Sequence, residues 1–169
     1  MKGLNSPHLF LASGNTLKMI QNLNHILSAR EIAKISAELD VNIVSLFSLG
    51  MEHFVFASNL DNDNDWRQKI SRLYYAVYNF RRAIVLKFNG VYSTDSSDHK
   101  NIELLPSTLS NRESHINNLR NLREDRNLAD YSHLGTKADL VIAPKDALIF
   151  AEQFLEDCKE YFLTHGIVV

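Results

Sequence analysis

WRQKISRLYYAVYNFRRAIVLKFNG, residues 66–90, carries apolar side chains at Trp66, Ile70, Leu73, Val77, Phe80 and Ile84, alternately four and three positions apart. At about 100° of rotation per residue, that spacing gathers them on one side of an α-helix, whereas the period of two in a β-strand would scatter them over both faces. The heptad-like seam therefore predicts a long helix packed against other helices. Asp61-Asn-Asp-Asn-Asp65, a turn rich in N-capping residues, marks its start, and Asn89-Gly90 marks its end.

The same periodicity extends outward on both sides. Leu17, Ile20, Leu23 and Ile26 recur at every third position and predict a first helix. Ser28 with Glu31 three residues on is a capping box that opens a second. Residues 29–59 are largely apolar and read as two helices, about 30–40 and 43–59, broken at Asp40-Val-Asn42. Downstream, residues 91–98 form a Ser/Asp-rich loop, and His99 to Leu105 a short helix stopped at Pro106. A further helix starts near Ser110 or Asn111 and runs to about Tyr131. Pro144 opens a last helix, with Ala147, Ala151, Phe154, Cys158 and Phe162 on one face before Gly166. Leu140-Val-Ile142 is too short to assign. The expected architecture is all-α, an antiparallel helical bundle forming a single domain over residues 1–169.

The chain has 169 residues, 45% of them hydrophobic, enough for one core without disulfides or structural metal. Its 18 Lys and Arg against 20 Asp and Glu give a net charge of -2, which argues against sequence-blind nucleic-acid binding over the whole surface and leaves room for a local basic groove. The lone Cys158 has no partner for an internal disulfide and reads as a buried thiol in a reducing, cytoplasmic setting. The run from His8 to Ser13 is too short for a secretory signal. The most apolar window, Val41 to Leu60, is interrupted by Asn42, Glu52, His53 and Asn59 and reads as a buried helix, with no membrane partner expected. The seven histidines, at 8, 25, 53, 99, 115, 133 and 165, show no zinc-binding spacing, and the six glycines make no phosphate loop. No nucleophile elbow occurs, and neither metal nor cofactor is expected.

The segment Leu122-Arg-Glu-Asp-Arg-Asn-Leu-Ala-Asp-Tyr-Ser-His133 stands apart. If it is helical throughout, Arg126 and His133 lie nearly two turns apart and point within roughly 20° of each other. Leu119, Leu122 and Ala129 share that stripe, with Arg126, Asp130 and His133 inside it. Charge in an apolar stripe costs on the order of several kcal/mol unless a partner, a cleft or a subunit interface offsets it.

Three elements together resemble the HEPN superfamily (higher eukaryote and prokaryote nucleotide-binding) of small helical bundles. They are Arg72-Leu-Tyr-Tyr-Ala-Val-Tyr78, Asp98-His99-Lys100, and Arg126-Asn127 with Ala129-Asp130-Tyr131 and His133. The resemblance covers about residues 45–163 and leaves 1–44 as an N-terminal helical extension. It implies a metal-independent endoribonuclease, often a toxin or defence effector, that cuts RNA by 2′-hydroxyl attack at a homodimer groove. It also implies an antitoxin or nucleotidyltransferase partner, although the position two residues after His133, where some relatives carry a modifiable Tyr, is here Gly135.

The residues suit that chemistry. As a histidine, His133 can accept or donate a proton, Arg126 fits two phosphate oxygens, and Asn127 can orient the Arg or the sugar. Arg120, Arg123 and Tyr131, with Arg112, would line the RNA groove. Other readings stay open: an Arg126–Asp130 ion pair, a His133 favoured at a helix C-terminus, tyrosines 74, 75 and 78 packing instead of stacking on bases, and His99 as a capping or packing residue. A catalytically inactive HEPN-like bundle, binding a partner protein or nucleotide, is the alternative function.

Overall fold

The computed structural model describes residues 13–93, 96–167 and 169, so most of the His8–Ser13 run lies outside the described residues. Among the described residues five α-helices follow one another: α1 (Thr16–Leu23), α2 (Ala29–Ser58), α3 (Trp66–Asn89), α4 (Arg112–Tyr131) and α5 (Pro144–Thr164). 3-10 helices lie at Ser96–Asn101 and Lys137–Asp139, and no strand occurs among the described residues.

The seam on α3 is only part of its buried surface. Ile70, Leu73, Val77, Phe80 and Ile84 are fully buried, but so are Tyr74, Ala76, Ala83 and Leu86 on its other sides, because α2, α4 and α5 all pack against it. A helix buried all round forms the centre of a bundle. Its charged residues are satisfied where they lie: Lys69 Nζ donates to the Leu60 carbonyl at 2.8 Å, and Arg81 pairs with Asp98 at 2.9 Å.

α2 runs unbroken through Asp40-Val-Asn42, where two helices were expected. Asp40 pairs with Lys87 at 2.7 Å, and the Asn42 amide donates back to the Glu38 carbonyl at 2.8 Å, so neither side chain diverts the backbone. The Ser28–Glu31 capping box forms as read. Leu39, Ile43 and Phe47 enter the core, and Gly50 lies so close to α3 that an added Cβ would sit 2.6 Å from the Phe80 ring. With Asp40 beside Lys87 and Gly50 beside Phe80, α2 and α3 run antiparallel. By length and composition α2 could cross a membrane, though it also supplies these core residues.

α1 ends at Leu23, and Ile26, expected on its face, is 76% exposed beyond it. The helix caps α3 from outside: Thr16 N and Oγ1 both donate to the Gly90 carbonyl, at 2.7 and 3.2 Å, and Asn15 Nδ2 donates to Asn89 O at 2.9 Å. Gly90, at φ 70°, supplies the left-handed turn that presents its carbonyl.

α4 opens on Asn111, itself left-handed at φ 53°, whose side chain leaves the cap to donate to Asp157 Oδ2 of α5 at 2.9 Å. His115 meets the same carboxylate at 2.6 Å, and Gln153 donates to its other oxygen. Farther along α4, buried Asp125 accepts from the backbone N–H groups of Val141 and Ile142 at 2.7 and 2.8 Å, pinning the connection into α5. The α5 face is buried as its spacing predicts, Cys158 included.

Candidate functional site

The end of α4 decides what the motif segment can do. The helix stops at Tyr131, and Ser132 turns extended (φ -89°, ψ 108°). The Ser132 hydroxyl accepts from Gly135 N, while the Arg67 guanidinium donates to the carbonyls of Leu128, Ala129 and Gly135. Arg67 thus satisfies the orphan carbonyls at the helix end and ties down the turn. His133 therefore lies beyond the helix, exposed, and the expected stripe shared by Arg126 and His133 does not form.

Arg126 instead faces α3. Its guanidinium donates to the Tyr75 hydroxyl and, at 3.2 Å, to Asn127 Oδ1, and it sits 5.1–5.7 Å from the ring centres of Tyr131, Tyr75 and Tyr74. Asp130 Oδ2 stands 2.8 Å from Nε, off the N–H axis, so it forms an ion pair without a hydrogen bond there. Burial is the largest influence on Arg126 and works against its charge, but Tyr75, Asp130 and Tyr131 together outweigh it and hold the guanidinium firmly protonated.

An open pocket of about 510 Å³ surrounds this group, lined by Tyr74, His99, Arg123, Glu124, Arg126, Asn127 and Tyr131. His99 enters from the 3-10 helix. Its ring stacks on Tyr78 with centres 4.3 Å apart, and its Nδ1 lies 2.6 Å from the Tyr74 hydroxyl. The neighbouring Asp98 fixes that element, being buried against Arg81 and accepting from the Tyr78 hydroxyl at 3.0 Å. Burial first, and the Arg126 charge second, hold His99 below the ordinary histidine pKa, so its ring is mainly neutral at pH 7. Burial pushes the Tyr74 hydroxyl far above its usual range and Tyr78 up to about 12, so both stay protonated. A neutral His99 whose Nδ1–H donates to Tyr74 presents Nε2 as a proton acceptor; the opposite tautomer presents a donor.

The structure sorts the expected site residues. Arg123, Arg126, Asn127 and Tyr131 come together at the pocket, Arg123 also reaching the His99 carbonyl at 3.4 Å. Arg120 does not line it; it pairs with Glu103 at 2.8 Å, because it projects toward the segment before Pro106. Arg112 lies at the opposite end of α4, on the Leu105 carbonyl. His133 is outside the pocket of its own chain. Tyr74 and His99 were read mainly as packing, yet they pack and also line the pocket. The signal for them was the order of the motifs: the tyrosine run and the Asp98-His99-Lys100 element converge on Arg126 although 26 or more positions separate them from it in sequence.

Among the described residues, no group of three or more His, Cys, Asp or Glu side chains is placed to hold a metal ion. Compared with known protein families, with curated proteins and with solved structures, the chain matches none.

Proposed function

We propose that the pocket binds single-stranded RNA and that the protein is an HEPN-type, metal-independent endoribonuclease, a toxin or defence effector. The observation that supports this reading best is the facing of Arg126 and a neutral His99 across one open pocket floored by tyrosines. Arg126 and Arg123 attract the scissile phosphate, and Tyr131, 72% exposed, offers a stacking face for a base. His99 Nε2 takes the proton of the ribose 2′-hydroxyl as that oxygen attacks phosphorus. The bond to the 5′ oxygen breaks, the leaving oxygen takes up a proton, and a 2′,3′-cyclic phosphate remains. Charge developing on the phosphorane is met by Arg126.

A homodimer belongs to the same reading. Leu134, 80% exposed, follows His133 directly, and a second copy seated there would cover it and bring His133 to its partner's phosphate as the proton donor. The deciding experiment is RNA cleavage in excess EDTA by wild type and by the Arg126→Ala, His99→Ala and His133→Ala variants. Loss in Arg126→Ala and His99→Ala with cyclic phosphate ends in wild type is expected; full cleavage by Arg126→Ala overturns the assignment.

One observation favours a second reading, a catalytically inactive nucleotide-binding module. Arg126 already has Tyr75, Asn127 and Asp130 as partners, so its charge is held even without a phosphate. On that reading RNA binds and is never cut.

A further inference from the structure

Arg72, first residue of the tyrosine-rich motif, has no part in the pocket, and neither do the exposed aromatic groups of α2 beside it. Phe56 is 53% exposed, with the Arg72 guanidinium 5.5 Å from its ring centre. Arg72 Nη1 lies 3.4 Å from His53 Nδ1, and the His53 ring is 5.6 Å from that of Tyr75. Tyr75 in turn holds Arg126 through its hydroxyl. A chain of contacts thus leads from Arg126 at the pocket through Tyr75 and His53 to Arg72 and ends on Phe56.

We propose that Phe56, Arg72 and His53 form a second nucleotide subsite that takes the base and phosphate next along a single-stranded RNA whose scissile phosphate lies at Arg126. This rests on the RNA-binding reading of the pocket. Single-strand sites combine cations that follow the backbone with aromatic faces on which successive bases stack, tolerant of sequence because every base has a π-face. Phe56 supplies the exposed face and Arg72 a cation already set over it. His53 is held below the ordinary histidine pKa by burial and by the Arg72 charge, so near pH 7 it contributes ring surface more than charge. Glu52, one turn before Phe56 on α2, is the neighbouring carboxylate; it keeps the track from being uniformly basic, in line with a net charge of -2. A lone exposed Phe needs no explanation, but one joined through Arg72 and His53 to the Arg126 pocket has a continuous route for a strand.

The experiment compares two probes on the full chain, adenosine 5′-monophosphate and a 2′-O-methyl hexa-adenylate that cannot be cut, by fluorescence anisotropy or calorimetry. Phe56→Ala is expected to weaken the hexamer roughly 5- to 150-fold, the range for one lost base stack, and to leave the mononucleotide unchanged. Arg72→Ala should also weaken the hexamer alone and reduce its salt slope by about one phosphate contact. Arg126→Ala should weaken both probes. Unchanged hexamer affinity in Phe56→Ala and Arg72→Ala, with Arg126→Ala still weakening both probes, overturns the subsite and leaves the pocket reading standing. Unchanged binding of both probes by Arg126→Ala overturns the pocket reading, and the subsite falls with it.

Discussion

At the level of single residues, the guanidinium of Arg126 is the group on which most of the pocket geometry turns. Lysine keeps the charge but cannot reach Tyr75, Asn127 and Asp130 together, so Arg126→Lys should lose most of the effect of Arg126, on the order of 10²-fold in cleavage, as when one fixed transition-state donor is removed. Single-turnover rates in EDTA check this, and wild-type rates in Arg126→Lys would refute the fork geometry. His99 makes a prediction with a sign. Its charged form is disfavoured in the fold by burial and by Arg126, so the acid limb of the rate profile should fall below the ordinary histidine value of 6.5. Removing the cation in Arg126→Gln should raise the His99 pKa, read as an upward shift of its imidazole proton titration by NMR. A titration that does not move would mean that the Arg126 charge does not reach the ring.

At the level of elements, the helices were legible because apolar spacing survives any tertiary context, whereas their ends depend on partners far away in sequence. The seam of α3 was plain from Trp66 to Ile84. The continuity of α2 was not, because Asp40 finds Lys87 47 positions on. The end of α4 was read at about Tyr131 and lies there, which leaves His133, two residues beyond it, off the stripe that a helix continued to His133 would have made. Nothing local to Tyr131 shows that Arg67 will collect the carbonyls of Leu128, Ala129 and Gly135. The site was legible to the same degree: Arg126, Asn127, Arg123 and Tyr131 lie within one helix and could be read together, while His99 needed the fold to reach them. Asp125 offers a test of how firmly that end of the bundle is fixed. Asp125→Ala leaves the Val141 and Ile142 N–H groups without their acceptor and should cost on the order of 2 kcal/mol or more in denaturant unfolding. A cost below about 0.5 kcal/mol, the range of ordinary surface changes, would show that solvent replaces the carboxylate easily.

For the molecule as a whole, acid stability should be set in part by the buried Asp157. Burial raises its pKa, but hydrogen bonds from Asn111, His115 and Gln153 outweigh that and hold the carboxyl below its usual range. A group whose folded pKa is depressed adds stability above its unfolded value and loses it as pH falls through the folded one. The joint between α4 and α5 should therefore hold at neutral pH and weaken below about pH 4, near the ordinary Asp value of 3.8. Asp157→Asn should lower the melting temperature at pH 7 and flatten its fall in acid; parallel curves for the two proteins would count against this account.

The clasp of Thr16 and Asn15 on Gly90 bears on the order of assembly. An isolated helix of eight residues is not stable in water, so α1 has to wait for something to hold it. Part of its anchor is a carbonyl 74 positions downstream, which a growing chain does not possess until α2 and α3 have been made. α1 should thus be the last of the first three helices to settle and the first to open, and its amides should exchange with deuterium well ahead of those in α3.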